Sequence, residues 1–284
     1  SGIKSIAIAF MNSYKNPSHE TMAKEVALNY SFDNISTSHE VSKLIGFVDR
    51  CSTTVVDAYL TPTVSKYVEK LKEFTGDIPL MIMQSNGGLV EAFKLKGKNS
   101  ILSGPAGGVV GAIETSMQSE RKKIVCFDMG GTSTDVAHCL GKIEYRSKTE
   151  IEGISIVAPM VDIHTVAAGG GSVVNFDGVQ LKVGPTSAGS EPGPACYRRG
   201  GPLTITDCNL LLGFLNPEYF PKCFGKDKNQ TVDRQLVRTE FEKLITSSNS
   251  HQPLEMNIYQ VAEGFIKIAN EKMANAIKKI SIDK

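Results

Sequence analysis

The chain has 284 residues, with 31 basic and 30 acidic side chains and a formal net charge of +1. This balance gives no bulk attraction to nucleic acid or to an anionic membrane surface, so neither is predicted as a partner. No apolar run approaches the roughly 20 residues that a membrane-spanning helix needs. The six cysteines are scattered without a CxxC pair, and no leader-like segment precedes the first predicted strand, which together predict a cytoplasmic location.

The N-terminal part of the chain predicts strands that alternate with helices. An apolar run at 5–10 is typical of a buried parallel strand, and helical spacing follows from 16 to 30. A long helix is predicted over about 49–74, where Pro62 should kink or interrupt it. A strand follows at 78–83. The predicted apolar stripe of the long helix is Val56, Tyr59, Leu60, Val64, Tyr67, Val68 and Leu71.

The rest of the chain predicts a helix, then short strands, then a loop-rich section and three further helices. It is the alternation of strands and helices in the N-terminal part that favours an α/β fold. The short strands are expected at 124–128, 133–139 and 143–148, and the Gly- and Pro-rich section at 151–205. The helices are expected at 103–117, from an N-cap at Asp207 to Leu212, at 232–246 and at 257–279.

The segment Phe-Asp-Met-Gly-Gly-Thr-Ser-Thr-Asp at 127–135 is the strongest candidate for a binding site. Paired glycines let successive amides face one concavity, which suits a phosphate oxygen, and the flanking acids could orient magnesium through its water shell. A plain hairpin is the alternative, although it requires neither hydroxyls nor an acid on both sides. The segment is neither a Walker A nor a Rossmann motif. The residues in question are Asp128, Gly130, Gly131, Thr132, Ser133, Thr134 and Asp135.

Two further segments could contribute to a site. Asp162 and His164 fall on one face of an extended segment, where they could bind a divalent metal or supply acid–base chemistry. Alternatively, one of them caps a turn and the other is buried and hydrogen-bonded. The glycines at 169–171 indicate either close approach of a ligand or a tight, flexible loop.

Several ordered motifs together resemble the hydantoinase A/5-oxoprolinase family, and they cover essentially the whole chain. The resemblance rests on the run at 128–135, preceded by Ser-Gly-Pro-Ala-Gly-Gly-Val-Val-Gly-Ala at 103–112. Further matching segments lie at 16–20, 83–89, 162–172, 183–197 and 204–209.

The resemblance implies an incomplete α/β fold of the actin-like ATPase (ribonuclease H-like) type with a Gly/Pro-rich insertion. Residues 1–104 would be the C-terminal portion of the first lobe and 105–284 the second lobe, which carries the phosphate loop at 128–135. The family's first phosphate loop would lie before Ser1 and its adenosine-binding stretch after Lys284. We therefore expect that this chain does not hydrolyse ATP efficiently alone.

The resemblance also implies ATP-dependent hydrolysis of a cyclic amide, such as hydantoin or 5-oxoproline, through phosphorylation of the amide oxygen. Its cofactors would be ATP and magnesium or another divalent metal, and its partners the cyclic amide, a hydantoinase B-like subunit or domain, and further copies in an oligomer. The predicted catalytic residues are Asp128, Asp135 and His164, and the metal ligands Asp128, Asp162 and His164. The predicted cofactor-binding residues are Gly107, Gly108, Gly130, Gly131, Thr132, Ser133, Thr134, Gly169 and Gly170.

Two alternatives remain open on the sequence. Related ATP-dependent carboxylases of acetone and acetophenone activate a ketone or bicarbonate, and the present residues do not separate them from amidases. Actin-like folds also serve as nucleotide switches and filaments. The long Gly/Pro-rich section favours an elaborated site over a polymer contact.

Overall fold

The protein has a mixed α/β architecture in a computed structural model that describes residues 2–151, 153–248 and 256–282. The α-helices are α1 (Ser18–Leu28), α2 (Ser38–Val41), α3 (Phe47–Thr75), α4 (Ser103–Gln118), α5 (Ile205–Leu212), α6 (Arg234–Ser248) and α7 (Ile258–Ser281). The strands are β1 (Ser5–Ile8), β2 (Asn34–Thr37), β3 (Met81–Met83), β4 (Leu89–Glu91), β5 (Lys123–Met129), β6 (Thr134–Leu140), β7 (Tyr145–Arg146), β8 (Thr149–Ile151), β9 (Ile154–Ile156), β10 (Met160–Val161), β11 (His164–Val166), β12 (Ser172–Phe176) and β13 (Leu181–Ser187).

The chain divides into two compact units. The first comprises Ser1–Ile124 and Cys139–Ile163, and the second Val125–His138 and His164–Lys284. The predicted boundary at 104/105 separates the two lobes of a complete fold. It does not coincide with the boundaries of these units, and it stays a prediction.

In the first unit, α3 packs against the parallel pair of β1 and β2. Ser5 lies opposite Asn34 and Ile8 opposite Thr37 in this pair. The predicted parallel strand at the N-terminus is confirmed, but its complete burial is wrong, since Ile8 alone of its four residues is buried. Helix α3 continues through Pro62, so the predicted interruption does not occur.

The buried face of α3 is mostly polar, which corrects the predicted apolar stripe, although its member Val68 is buried. Tyr59 and Tyr67 are 80% and 59% exposed, whereas Asp57 and Thr61 are buried. The Asp57 carboxylate accepts hydrogen bonds from the Ser36 hydroxyl at 2.8 Å and from a backbone amide at 3.1 Å. The Thr61 hydroxyl accepts the amide of Gly97 at 3.0 Å. Hydrogen bonds, and not apolar contacts alone, therefore fix α3 in this unit.

Glu20 and Arg50 are charged side chains of the first unit that are fully buried, and both contact Ser38. Glu20 accepts the Ser38 hydroxyl at 2.5 Å and the amides of Phe10 and His39 at 2.7 and 3.0 Å. Arg50 donates to Ser38 Oγ at 3.0 Å and to four backbone carbonyls. Burial raises the pKa of Glu20, but the hydrogen bonds from Ser38, His39 and Phe10 outweigh it and lower the pKa to about 2. Glu20, the last residue of the 16–20 motif, therefore has a structural role in the protein interior.

The second unit contains the three-stranded sheet β11-β6-β5 and the hairpin of β12 and β13. Strand β5 begins in the first unit and strand β6 ends in it, whereas the loop between the two strands belongs to the second unit. Helix α7 packs against β11 and β13 and buries Val261, Phe265 and Met273. Phe241 of α6 and Phe265 of α7 are both fully buried in the core of this unit. Ile268 and Ile277 are partly buried.

Asp207 is the third residue of α5 and not its N-cap, which corrects the prediction. Thr204 is the N-cap, and the two residues form a capping box in which Asp207 accepts the Thr204 amide at 2.8 Å. Asp207 also accepts the amides of Ala195 and Cys196 at 3.1 and 2.8 Å. Its carboxylate therefore joins the start of α5 to the Gly/Pro-rich segment.

Candidate functional site

The predicted phosphate loop is a tight turn between β5 and β6. The amide of Gly130 donates to the carbonyl of Ser133 at 2.9 Å, which closes the turn. Asp128, Gly131 and Thr132 are all exposed. The predicted strand, turn and second strand are thus present, and the turn faces solvent within its own unit.

The glycine segment at 169–171 packs directly against the backbone of this turn. The amide of Gly170 donates to the carbonyl of Gly130 at 3.0 Å, and that of Gly171 to the carbonyl of Gly131 at 2.6 Å. A Cβ atom at Gly169 would lie 2.8 Å from the Gly130 oxygen, and one at Gly171 would lie 2.9 Å from the Gly131 oxygen. These positions need glycine because a backbone, and not a flexible side chain, occupies the space of the missing Cβ.

This contact orients the peptide groups of the turn. In a trans peptide the carbonyl and the amide hydrogen point in opposite directions. The carbonyls of Gly130 and Gly131 point toward the glycine segment. The amides of Gly131 and Thr132, on the other side of the same peptide planes, therefore point away from it. Two consecutive amides that face outward from one turn are suited to an anionic oxygen.

The side chains of the loop fall into an exposed and a buried group. The Thr132 hydroxyl lies 3.4 Å from that of Ser187; Thr132 is exposed and Ser187 is half-buried. Thr134 is fully buried, and its hydroxyl donates to the carbonyl of Ala168 at 2.5 Å. Its predicted contact with a cofactor would require this bond to break. Ser133 is half-buried.

The two acids that flank the turn differ in their surroundings. Asp128 is exposed near the end of β5. Asp135 lies on β6 opposite Thr165, whose hydroxyl donates to Asp135 Oδ1 at 2.5 Å. The second carboxylate oxygen of Asp135 lies outside this bond. The catalytic roles of Asp128 and Asp135 stay predictions.

Asp162 and His164 belong to different compact units. Asp162 forms an ion pair with Arg146 in the first unit. His164 begins β11 in the second unit, opposite Val136. A cation at Asp162 would compete with the Arg146 guanidinium, which weighs against the predicted metal role of this carboxylate. The roles of His164 stay predictions.

Gly107 and Gly108 lie in the first turns of α4, in the first unit. Among the described residues outside its own helical turn, a Cβ atom at Gly107 would meet the Met83 side chain, at an ordinary contact distance of 3.8 Å. Steric crowding therefore does not require glycine at 107, and the proposed contact of both residues with a cofactor stays a prediction.

Three residues that the structure brings to the turn were not predicted as site residues, although Gly171 lies in the predicted glycine segment. Gly171 contacts Gly131 as described above, and Ser187 lies beside Thr132. The hydroxyl of Thr206 donates to the carbonyl of Gly170 at 2.8 Å and so holds the glycine segment from behind. All three residues lie inside the family motifs at 162–172, 183–197 and 204–209. Their place in these motifs was the signal in the sequence that could have identified them.

The cysteines of the second unit offer no activated thiol at 196 or 208. Burial, reinforced by the neighbouring Asp207 carboxylate, raises the pKa of both Cys196 and Cys208 well above the ordinary value. Both therefore stay protonated and inert near neutral pH.

Neither a metal-binding cluster nor a membrane-spanning helix is found among the described residues, 2–151, 153–248 and 256–282. Within these ranges no three His, Cys, Asp or Glu side chains are grouped so that they could hold a metal ion. No helix in the same ranges combines the length and apolarity required to cross a membrane.

The turn, with its outward amides and the exposed Thr132 hydroxyl, has a geometry that suits an anionic oxygen. Residues 50–284 match the Hydantoinase/oxoprolinase family, and the chain belongs to that family. The 5-oxoprolinase of Saccharomyces cerevisiae is 46% identical over 99% of this chain, which spans 22% of that relative. Caprolactamase subunit alpha of Pseudomonas jessenii is 32% identical over 99% of the chain, which spans 40% of it.

Two solved structures resemble this one over almost its whole length. The nucleotide-free structure of acetone carboxylase, from work on ATP-dependent acetone carboxylation, matches 98% of this chain with a TM-score of 0.80 and 27% identity. The ATP-dependent caprolactamase from Pseudomonas jessenii matches 98% with a TM-score of 0.71 and 32% identity. This chain covers 39% and 40% of those chains, respectively.

Proposed function

We propose that this chain is the ATP-binding part of a longer enzyme that uses ATP to hydrolyse a cyclic amide, with 5-oxoproline as the first substrate to test. The observation that carries the proposal is the turn at 130–133, where carbonyls tied to the 169–171 segment leave the amides of Gly131 and Thr132 facing outward. The relatives named 5-oxoprolinase and the ATP dependence stated for caprolactamase support it.

The proposal includes the actin-like ATPase fold, with the turn as the phosphate loop of the second lobe. The outward amides and the Thr132 hydroxyl would bind oxygens of the terminal phosphates. Fixed donors of this kind stabilise the charge on a transferring phosphoryl group without reorganising during the reaction.

The residues at the turn fit a magnesium ion that accompanies ATP. Magnesium keeps several waters and is commonly held by one or two carboxylates together with substrate phosphates, so a dedicated three-ligand cluster is unnecessary. Asp128 is exposed and Asp135 has one carboxylate oxygen outside its bond to Thr165. These two acids would hold the hydrated ion, which would neutralise phosphate charge.

The reaction would pass the γ-phosphoryl group to the amide oxygen of the ring, with ADP as the leaving group. Water would then add to the ring carbon, and the C–N bond would break with the nitrogen leaving as an amine. A second water would hydrolyse the resulting acyl phosphate to a carboxylate and inorganic phosphate. The protein would contribute positioning and charge stabilisation at the phosphoryl group.

The test is phosphate release from ATP by the complete polypeptide, measured with and without 5-oxoproline. We expect Asp128→Ala to abolish the release that depends on 5-oxoproline. Asp227→Asn, which changes an exposed acid elsewhere in the second unit, is the matched control and should retain it. Undiminished release by Asp128→Ala would remove the turn from the mechanism.

A second candidate is ATP-dependent carboxylation of a ketone, favoured by the similarity to acetone carboxylase. A panel of cyclic amides, and of ketones with bicarbonate, separates the two reactions by which substrate stimulates phosphate release. The proposal also includes a cytoplasmic location, an oligomeric assembly and a hydantoinase B-like partner subunit or domain. The designation of the Pseudomonas jessenii relative as a subunit alpha supports such a partner.

A further inference from the structure

We propose that Ser187, at the end of β13, is a second hydroxyl donor to the anionic group bound at the turn. This inference rests on the proposed phosphate site, and it extends that site to a residue of the Gly/Pro-rich section. Ser187 Oγ lies 3.4 Å from Thr132 Oγ1. Two hydroxyls this close can both reach one anionic oxygen, since each forms O–H···O bonds of about 2.5–3.0 Å.

The proton of the Ser187 hydroxyl is used in one long hydrogen bond, to Thr132. The Ser187 oxygen accepts the amide of Gly189 at 3.2 Å, which can only donate, so this bond uses a lone pair of the hydroxyl and not its hydrogen. The hydrogen is directed at Thr132 Oγ1 at a distance that is long for a hydroxyl pair. An anionic oxygen placed between the two would be a stronger acceptor than the neutral Thr132 hydroxyl.

The backbone around Ser187 holds this hydroxyl at the turn. Ser187 pairs with Ser172 across the β12–β13 hairpin, and Ser172 directly follows the glycine segment. The next residue, Ala188, donates its amide to the carbonyl of Gly171 at 2.8 Å. A Cβ atom at Gly171 would lie 3.2 Å from Ser187 Oγ. The turn, the glycine segment and the end of β13 therefore form one packed group with Ser187 at its accessible edge.

The experiment compares ATP kinetics of 5-oxoproline-dependent phosphate release in the complete polypeptide. Ser187→Ala should lower kcat/KM for ATP by about tenfold, as expected when a hydrogen bond to a charged group is lost, and should leave the KM for 5-oxoproline unchanged. Ser187→Thr, which retains a hydroxyl, should recover most of the loss. Ser190→Ala, an exposed serine of the same segment, is the matched control.

A double-mutant cycle with Thr132→Ala completes the test. If both hydroxyls bind the same group, Ser187→Ala should have a smaller effect in the Thr132→Ala background than in the wild type. If Thr132→Ala lowers kcat/KM but Ser187→Ala behaves like Ser190→Ala, the role of Ser187 is refuted and the phosphate site stands. If Thr132→Ala has no effect on ATP kinetics, the phosphate site itself fails, and the inference about Ser187 fails with it.

Discussion

Replacement of Gly169 by alanine tests the contact that orients the turn. Gly169 is buried, and an alanine Cβ would lie 2.8 Å from the carbonyl oxygen of Gly130 and 2.9 Å from that of Gly131. Ordinary contacts of a Cβ atom begin near 3.4 Å, so the nearer approach is about 0.6 Å too short. The obstructing atoms belong to backbone, which cannot rotate away as a side chain does.

The cost follows from the two ways in which the overlap can be relieved. Overpacking of a buried site costs about 1–3 kcal/mol when the surroundings are compressed. If the turn moves outward instead, the hydrogen bonds from Gly170 and Gly171 lengthen, and each contributes about 1 kcal/mol. By either route we expect Gly169→Ala to lower the free energy of unfolding by about 2 kcal/mol.

The assay is urea unfolding followed by far-ultraviolet circular dichroism, with hydrogen exchange at the amides of Gly170 and Gly171. Gly131→Ala is the control for stability, because a Cβ atom there meets open space. Its free energy of unfolding should stay within about 0.5 kcal/mol of the wild type. Equal stability of Gly169→Ala and Gly131→Ala, with unchanged exchange at both amides, would refute the packing of the glycine segment on the turn.

Three further predictions concern buried charges and thiols. Because the folded-state pKa of Glu20 is about 2, below its ordinary value of 4.5, its contribution is complete above pH 4.5 and is lost as the pH falls toward 2. Urea unfolding at several pH values should show a loss of at most about 3 kcal/mol, and a Glu20→Gln variant lacking this pH dependence would support the assignment. Arg50→Lys should destabilise the protein by about 3 kcal/mol, because an ammonium group cannot replace the five hydrogen bonds of the guanidinium; an unchanged urea midpoint would contradict this. Iodoacetamide at pH 8 should label the exposed Cys223 and spare the buried Cys196 and Cys208, as mass spectrometry of peptides would show, and rapid labelling of either buried thiol would oppose the assigned burial.

The turn was predictable from sequence because its signals are local. An apolar strand, paired glycines and a second strand are contiguous, and the structure places β5 and β6 on either side of Gly130 and Gly131. The glycines at 169–171 predict either close approach of a ligand or a tight, flexible loop, and the structure shows the segment packed against the backbone of the turn. Its partner could not be deduced, because the backbone that fills the missing Cβ positions comes from a distant part of the chain. Ser187 was missed for the same reason.

The long helix shows where hydropathy misleads. The predicted stripe of α3 consists of apolar side chains. Asp57 and Thr61 are buried instead, because each has a hydrogen-bond partner on another segment. Periodicity of apolar residues carries no information about such partners. At α5 the error had a different origin. Thr204 stands three residues before Asp207, which is the spacing of a capping box, so the correct N-cap could have been identified from the sequence.

The polar interior of α3 has a consequence for how this long helix can move. Directional bonds tolerate far less sliding than apolar contacts, and a shift of one residue along the axis displaces each group by about 1.5 Å. Such a shift would break the bonds that Asp57 and Thr61 receive at separate points along the helix. Helix α3 can therefore tilt together with the segments that it contacts, but it cannot slide along its axis relative to them.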